Sequence, residues 1–269
     1  MKTNKQNQTW RIHQYSREDS PGRQSIESLC NGEQAVVVFK DALPTTMLAA
    51  CQNAIERYRS SANTTTYTNG SLTTIGPYLA KHIECPDDYF ASAQIVEDRL
   101  FNDSNLPSVI RDFLSRKFEA RINVASESDG RKYAGAIVRL HGNGVSNPLH
   151  NDNIMRDAKD SGLVVAGLKH QLSCIVCLQE CTEGGVLQHY QRVWNQNDER
   201  FKIPNGLGYQ KEVVADQSLV KFKPATGDVY VMNPTYYHSI NTVIGAERRT
   251  LGFFLGCVDD QLDDWITWS

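Results

Sequence analysis

The chain has no run approaching the ~18 consecutive apolar residues that a membrane-spanning helix needs. Its start, Met1 to Arg11, is polar and lacks the apolar centre of a signal peptide, so a soluble protein of the cytoplasm is expected. Charge of one sign is missing too: 28 Lys and Arg against 31 Asp and Glu leave a formal net charge of -3, mixed along the sequence. With no basic face and no acidic tail, neither nucleic acid nor a membrane is an expected partner. No internal repeat or low-complexity linker divides the 269 residues, which are read as a single domain, 1–269. The Gly-x-Ser-x-Gly elbow of hydrolases and the Gly-x-x-x-x-Gly-Lys phosphate loop are both absent, and Gly142-Asn143-Gly144 is too short to stand for either. Nothing in the sequence bears on oligomeric state.

Cysteine is present but in the wrong pattern for a disulfide framework. Seven are scattered through a chain too large to need staples, which fits a reducing compartment. Cys174, Cys177 and Cys181 invite a zinc or iron-sulfur reading. Ser173 to Leu178 reads as strand, however, where residues three apart point to opposite faces, and small core thiols are the better reading.

The first ~30 residues show no period and read as an irregular lead-in. Structure begins with the β-branched run Gln34 to Phe39, closed off by Pro44. Thr45 or Thr46 can cap a following helix whose apolar residues Met47, Leu48, Cys51, Ala54, Ile55 and Tyr58 recur at helical steps. Ser60 to Gly76 is a polar stretch, long for a loop, and is a candidate lid whose Thr64 to Ile75 segment is expected at the pocket. Helices are predicted from Pro86, carrying Tyr89, Phe90, Ala93, Ile95, Val96 and Leu100, and from Pro107 to Phe118. Residues 1–132 thus form a helical part with a first strand.

From Tyr133 the pattern changes to short β-rich runs: Gly135 to His141, Leu163 to Leu168, Gln171 to Leu178, Gly185 to Gln191, Leu219 to Phe222, Asp228 to Met232, Tyr237 to Val243 and Thr250 to Val258. Strands without intervening helices argue a closed or sandwiched antiparallel architecture, for which the jelly roll is the common eight-strand solution. The expected fold is therefore mainly β: N-terminal helices covering a jelly-roll (double-stranded β-helix, cupin-like) core at 133–258, with a tail at 259–269.

One stretch of that core carries chemistry. In Pro148-Leu149-His150-Asn151-Asp152-Asn153, a histidine and a carboxylate stand two apart at a loop-to-strand junction, where strand alternation lets both point inward. A distant histidine, His238, follows the strand and tight turn of Gly227 to Pro234. Two imidazoles and one carboxylate fill one face of a six-coordinate metal and leave positions open, the arrangement of non-heme Fe(II) oxygenases. A structural zinc would take four ligands and favour cysteine.

Together with Arg248-Arg249-Thr250, these residues carry a family likeness. The chain resembles the Fe(II)/2-oxoglutarate-dependent dioxygenases, whose signature is His-x-Asp, a long gap, His, and then Arg-x-Ser or Arg-x-Thr; here His150-Asn151-Asp152, His238 and Arg248-Arg249-Thr250. The likeness spans Gly135 to Val258. It implies Fe(II) held by His150, Asp152 and His238, with 2-oxoglutarate and O2 as cosubstrates. By the same resemblance Arg248 binds the distal carboxylate of 2-oxoglutarate and Thr250 adds a hydroxyl. Arg249, of opposite parity, is its outward-facing neighbour. Arg139, on the strand leading to the site, is counted with the same binding set, for 2-oxoglutarate or a substrate carboxylate, against a strand-edge salt bridge.

Within the superfamily the chain is similar to free-standing hydroxylases of amino acids and N-acylated amino acids, and to their relatives that halogenate indole alkaloids. The residues behind this are Asp88-Tyr89-Phe90-Ala91-Ser92, Gly184-Gly185-Val186-Leu187 with Tyr190 and Trp194, and Trp265 to Ser269. Those halogenases replace the carboxylate ligand with glycine to admit chloride; this chain keeps Asp152, which implies hydroxylation of a small-molecule C–H bond. The same iron supports desaturation, epoxidation or cyclisation of a natural-product intermediate, and a non-enzymatic cupin-type sensor is the other class. Arg248-x-Thr250 counts against the sensor. Of the remaining candidates, His141 and His189 are read as structural or substrate-contact groups, Asn153 and Gln171 as substrate contacts or solvated residues, and Tyr237 and Trp194 as packing.

Overall fold

A computed structural model describes residues 10–101 and 104–269, with the side chains of 96–99 left out. Most of residues 1–11 therefore lie outside the described residues. Two sheets face each other. The larger runs in the order Ile12–Tyr15, Val36–Phe39, Val229–Met232, His170–Gln179, Arg248–Cys257, Ile137–His141, Gly70–Ile75, Asn63–Tyr67. The smaller holds Leu219–Phe222, Leu187–Val193, Tyr236–Ile240 and Asn147–His150. The four strands from Val229–Met232 to Ile137–His141, set against the smaller sheet, make the expected jelly roll.

The central strands Val36–Phe39 and Val229–Met232 are buried on both faces and are apolar throughout instead of alternating with polar residues. Val37 and Phe39 point outward into a core with Leu172, Cys174, Val176, Leu251, Phe253 and Leu255. Helices Arg23–Cys30, Thr45–Arg57 and Leu106–Phe118 close that core with Ile26, Leu29, Leu48, Ile55, Ile110, Phe113, Leu114 and Phe118. Val36 and Val38 point the other way, between the sheets, onto Ile175, Leu187, Phe222, Tyr230, Met232 and Ile240. The polar members of the inner face, Arg139, His141, Arg248 and Thr250, stand alternately with those outward core residues.

Several expectations are corrected. The lead-in contains a strand, Ile12–Tyr15, and the helix Arg23–Cys30; the strand exists through parallel pairing with Val36–Phe39, which no local period reveals. Ser60 to Gly76 is largely a hairpin, Asn63–Tyr67 with Gly70–Ile75, because its threonines pair across it and it extends the large sheet. The helix Thr45–Arg57 is preceded by Pro44 at the cap, with no threonine side-chain cap. Ile95 is 52% exposed and not on the buried face of its helix. Leu163 to Leu168 is a 3-10 turn, Val164–Gly167, and Arg121–Val124 and Asn147–His150 are strands outside the expected runs. The tail contains Asp264–Trp268, which joins the large sheet with Trp265 and Trp268 buried. Among the described residues no helix is long and apolar enough to cross a membrane.

Candidate metal centre and its cavity

His150 ends one strand of the small sheet and pairs directly with His238 on the next. Their ring centroids are 4.2 Å apart. Each ring is oriented by Nδ1–H donating to a main-chain carbonyl, Pro148 O at 2.7 Å for His150 and Tyr236 O at 2.9 Å for His238. That tautomer leaves a lone pair on both Nε2 atoms, and a ligating histidine is ordinarily fixed in this way. The two Nε2 atoms lie 3.8 Å and 3.7 Å from Oδ2 of Asp152. These separations are too long for hydrogen bonds and suit three donors around an ion. No other such group of His, Cys, Asp and Glu occurs among the described residues. Burial first, then the neighbouring His150 and His189, holds His238 neutral well below the usual histidine range. Two neutral nitrogens and one carboxylate oxygen fit Fe(II) with positions open.

Asp152 is aimed by a loop and not by strand alternation, since the strand stops at His150. Its N–H donates to Pro234 O at 2.9 Å, and Ile154 N–H donates to Gln171 Oε1 at 2.8 Å. Asn153 caps the short helix Ile154–Asp157, accepting from Arg156 N–H at 3.0 Å. Arg156 also donates to Asn151 Oδ1 at 2.8 Å and lies 4.7 Å above the Trp194 ring. Gln171, Asn153 and Trp194 thus help hold the carboxylate loop; Gln171 and Asn153 line the cavity as well.

The cavity has a volume of about 380 Å³ and brings together His150, Asp152, His238, Arg139, Arg248 and Thr250. Arg248 faces inward, 4% exposed, and donates to the Tyr230 hydroxyl at 3.4 Å. Its stem passes over Gly185, where a Cβ would sit 3.1 Å from Arg248 Cδ and 2.5 Å from Cys181 Sγ. Arg249 faces the other way, donating to Glu56 at 2.6 Å and Glu247 at 2.9 Å. His141, opposite Arg248 and also lining the cavity, has neither ring nitrogen hydrogen bonded to a described residue. Burial, then Arg248 and Arg139, pushes its pKa down to about 3.

A stability prediction follows from His141. Its folded value is depressed, so between about pH 6.5 and 3 the unfolded chain takes up a proton that the folded chain refuses. Stability is full above that window and falls as pH drops through it. Melting temperature measured against pH should decline on acidification, and His141→Phe should flatten part of the slope.

His189 is buried behind the site, opposite His238, with Nε2 at 3.2 Å from Asn233 O and Trp10 packed on it; it does not line the cavity. Tyr237 packs on Tyr209. Cys174 and Cys177 are fully buried strand thiols, Cys177 pushed up to about 12 by burial, so no metal group forms there. The cavity wall also includes Thr65, Tyr67 and Leu72 from the hairpin, as expected of that stretch, and Tyr78, Lys81, Tyr230, Phe254 and Trp268, which sequence reading missed. Phe254 was accessible to it: it shares parity with Arg248 and Thr250.

With this geometry in hand, a family model described as the carrier-protein-independent halogenase WelO5 matches residues 15–269. The chain belongs to this family. The resemblance read from the motif residues is borne out, in a member that keeps Asp152. The chain is similar to the L-gamma-glutamyl-L-propargylglycine hydroxylase of Streptantibioticus cattleyicolor, 32% identical over 122 residues covering 45% of this chain and 44% of the relative. It is also similar to the L-isoleucine 3(1)-dioxygenase of Pantoea ananatis, 26% identical over 127 residues covering 44% of this chain and 42% of the relative. The chain thus spans under half the length of these two curated relatives in the matched regions. Among solved structures, the N-substituted L-amino acid dioxygenase of Burkholderia ambifaria shares the fold, with a TM-score of 0.64 at 15% identity over 92% of this chain and 91% of that one.

Proposed function

We propose that the protein is an Fe(II)- and 2-oxoglutarate-dependent dioxygenase that hydroxylates an unactivated C–H bond of a small molecule, an amino acid or amino acid derivative. The observation that carries this reading is the convergence of His150, Asp152 and His238 in one cavity with an inward Arg248 that no carboxylate among the described residues pairs. His150 Nε2, His238 Nε2 and the Asp152 carboxylate would hold the iron. With 2-oxoglutarate and O2, the iron supplies the oxidising power, and 2-oxoglutarate leaves as succinate and CO2. The chain's own share is positioning and exclusion of water. Arg248 grips the distal carboxylate of 2-oxoglutarate in a charge-assisted fork, and Thr250, two residues along the same face, adds a hydroxyl donor. Apolar walls at Leu72, Leu79, Ile154, Phe254 and Trp268 surround the space left for substrate.

The amino acid class draws support from the activities for which the two curated relatives are named. The test is a mass-spectrometric screen of amino acids, N-acyl amino acids and small alkaloids with Fe(II), 2-oxoglutarate and O2. A product heavier by one oxygen, formed with succinate, is expected. A product lighter by two hydrogens would assign desaturation or cyclisation instead, and no Fe(II)-dependent succinate would overturn the reading.

A further inference from the structure

Two guanidinium groups enter the cavity from adjacent strands of the large sheet, and they diverge. Arg248 stands opposite His141 and runs over Gly185 toward Tyr230. Arg139 stands opposite Thr250, two pairs further along, and its Nη1 lies over Gly252, the next inward position. A Cβ on Gly252 would come within 2.6 Å of that nitrogen. The backbone of Gly252 is not left-handed, so conformation does not call for glycine there. Glycine inside a strand marks the close approach of another group, and here that group is the head of Arg139. Beyond Gly252 the wall continues through Phe254, Trp268 and Gln171, on the far side of Thr250 from Arg248.

Arg139 makes no hydrogen bond or ion pair with any described residue, so the strand-edge salt bridge is not what holds it. Its strongest charged neighbour is Asp152, already a metal donor. Among the charged side chains of the cavity, Lys81 at the mouth is a further cation, and Asp157 is paired with Arg156 at 2.6 Å. The Ser269 main-chain oxygen at the wall accepts from Leu79 N–H at 2.8 Å. With Lys81 at the mouth set aside, a divalent ion, Asp152, both guanidiniums and doubly charged 2-oxoglutarate leave one positive charge unmatched, in a site where an unpaired charge is costly.

Resting on the function proposed above, we infer that Arg139 holds a carboxylate of the organic substrate and not 2-oxoglutarate, making this an enzyme selective for carboxylic acids. The planar fork of arginine takes a carboxylate in two parallel hydrogen bonds. Gly252 gives that fork its seat, and the Phe254 and Trp268 walls receive the body of the acid.

The test reads cosubstrate and substrate separately. Binding of 2-oxoglutarate to the Fe(II)-loaded protein is measured by anaerobic calorimetry, for wild type and Arg139→Gln. Succinate release is then measured with a panel of free and N-acetyl L-amino acids and with the corresponding carboxamides. Arg139→Gln should leave 2-oxoglutarate affinity unchanged while raising the acid concentration for half-maximal turnover about 100-fold, the loss expected for truncating one side of a buried charge pair. Wild type should prefer acids over carboxamides, and Arg139→Lys should recover part of the loss. Gly252→Ala, which crowds the guanidinium, should shift the acid requirement in the same direction and stands in if Arg139→Gln does not fold. Weakened 2-oxoglutarate binding in Arg139→Gln, equal use of acids and carboxamides, or stimulation by no acid overturns the inference while the iron and 2-oxoglutarate reading stands. Failure of wild type to bind 2-oxoglutarate in the presence of Fe(II) overturns both.

Discussion

Asp152→Ala is expected to abolish Fe(II)-dependent release of succinate while leaving the fold intact. Disturbing the outer partner of a metal ligand alone costs about 10–100-fold in metal affinity or activity, so loss of the ligand itself should exceed about 100-fold. The carboxylate is the sole anion of the donor set: His150 and His238 offer neutral nitrogens, and both Nε2 atoms face Asp152 across a gap. Removing it leaves two imidazoles and an open position for water or chloride, so the ion loses its one charged protein ligand and is held more weakly. The fold should survive, because what fixes the loop is the Asp152 main-chain N–H on Pro234 O and the Gln171 and Arg156 hydrogen bonds, none of which uses the Asp152 side chain. Fe(II) binding, succinate yield and a thermal melt are the three measurements. Turnover unchanged from wild type would remove Asp152 from the metal site.

How much of this could be read beforehand depended on whether the signal was local. Arg248, Thr250 and Arg139 were legible because strand alternation is a period-two property, and Arg249 fell on the outer face for the same reason. The strand carrying His150 was not. It meets its partner at only two paired positions with an irregularity between them, and Pro148 within it donates no hydrogen bond, tolerable at a sheet edge but silent as a strand signal. Val164–Gly167 misled in the opposite way: an apolar β-branched run that tertiary packing on Tyr89, Phe90 and Tyr133 turned into a 3-10 segment. Trp268 reached the cavity through pairing of Asp264–Trp268 with Arg248–Cys257, a contact that no window of sequence contains.

Arg248→Ala should weaken 2-oxoglutarate binding by about 100-fold or more with metal binding retained, as expected for losing one partner of a buried charge-assisted pair. The guanidinium is buried, its one hydrogen bond among the described residues is a long contact with the Tyr230 hydroxyl, and no described carboxylate pairs with it. A cation so placed is poorly satisfied until a ligand anion arrives. Its neighbour His141 is neutral and supplies no charge to replace it. Arg248→Lys keeps the positive charge but loses the planar fork, and should fall between wild type and alanine. Arg249→Ala is the control: it breaks contacts to Glu56 and Glu247 on the outer face and should leave the 2-oxoglutarate requirement where it was. If Arg248→Ala retained wild-type affinity while Arg139→Gln lost it, the two arginines would exchange roles, with the cosubstrate seated over Gly252 and the organic acid at the Tyr230 end. Titrating both variants with 2-oxoglutarate therefore fixes which end of the cavity each anion occupies.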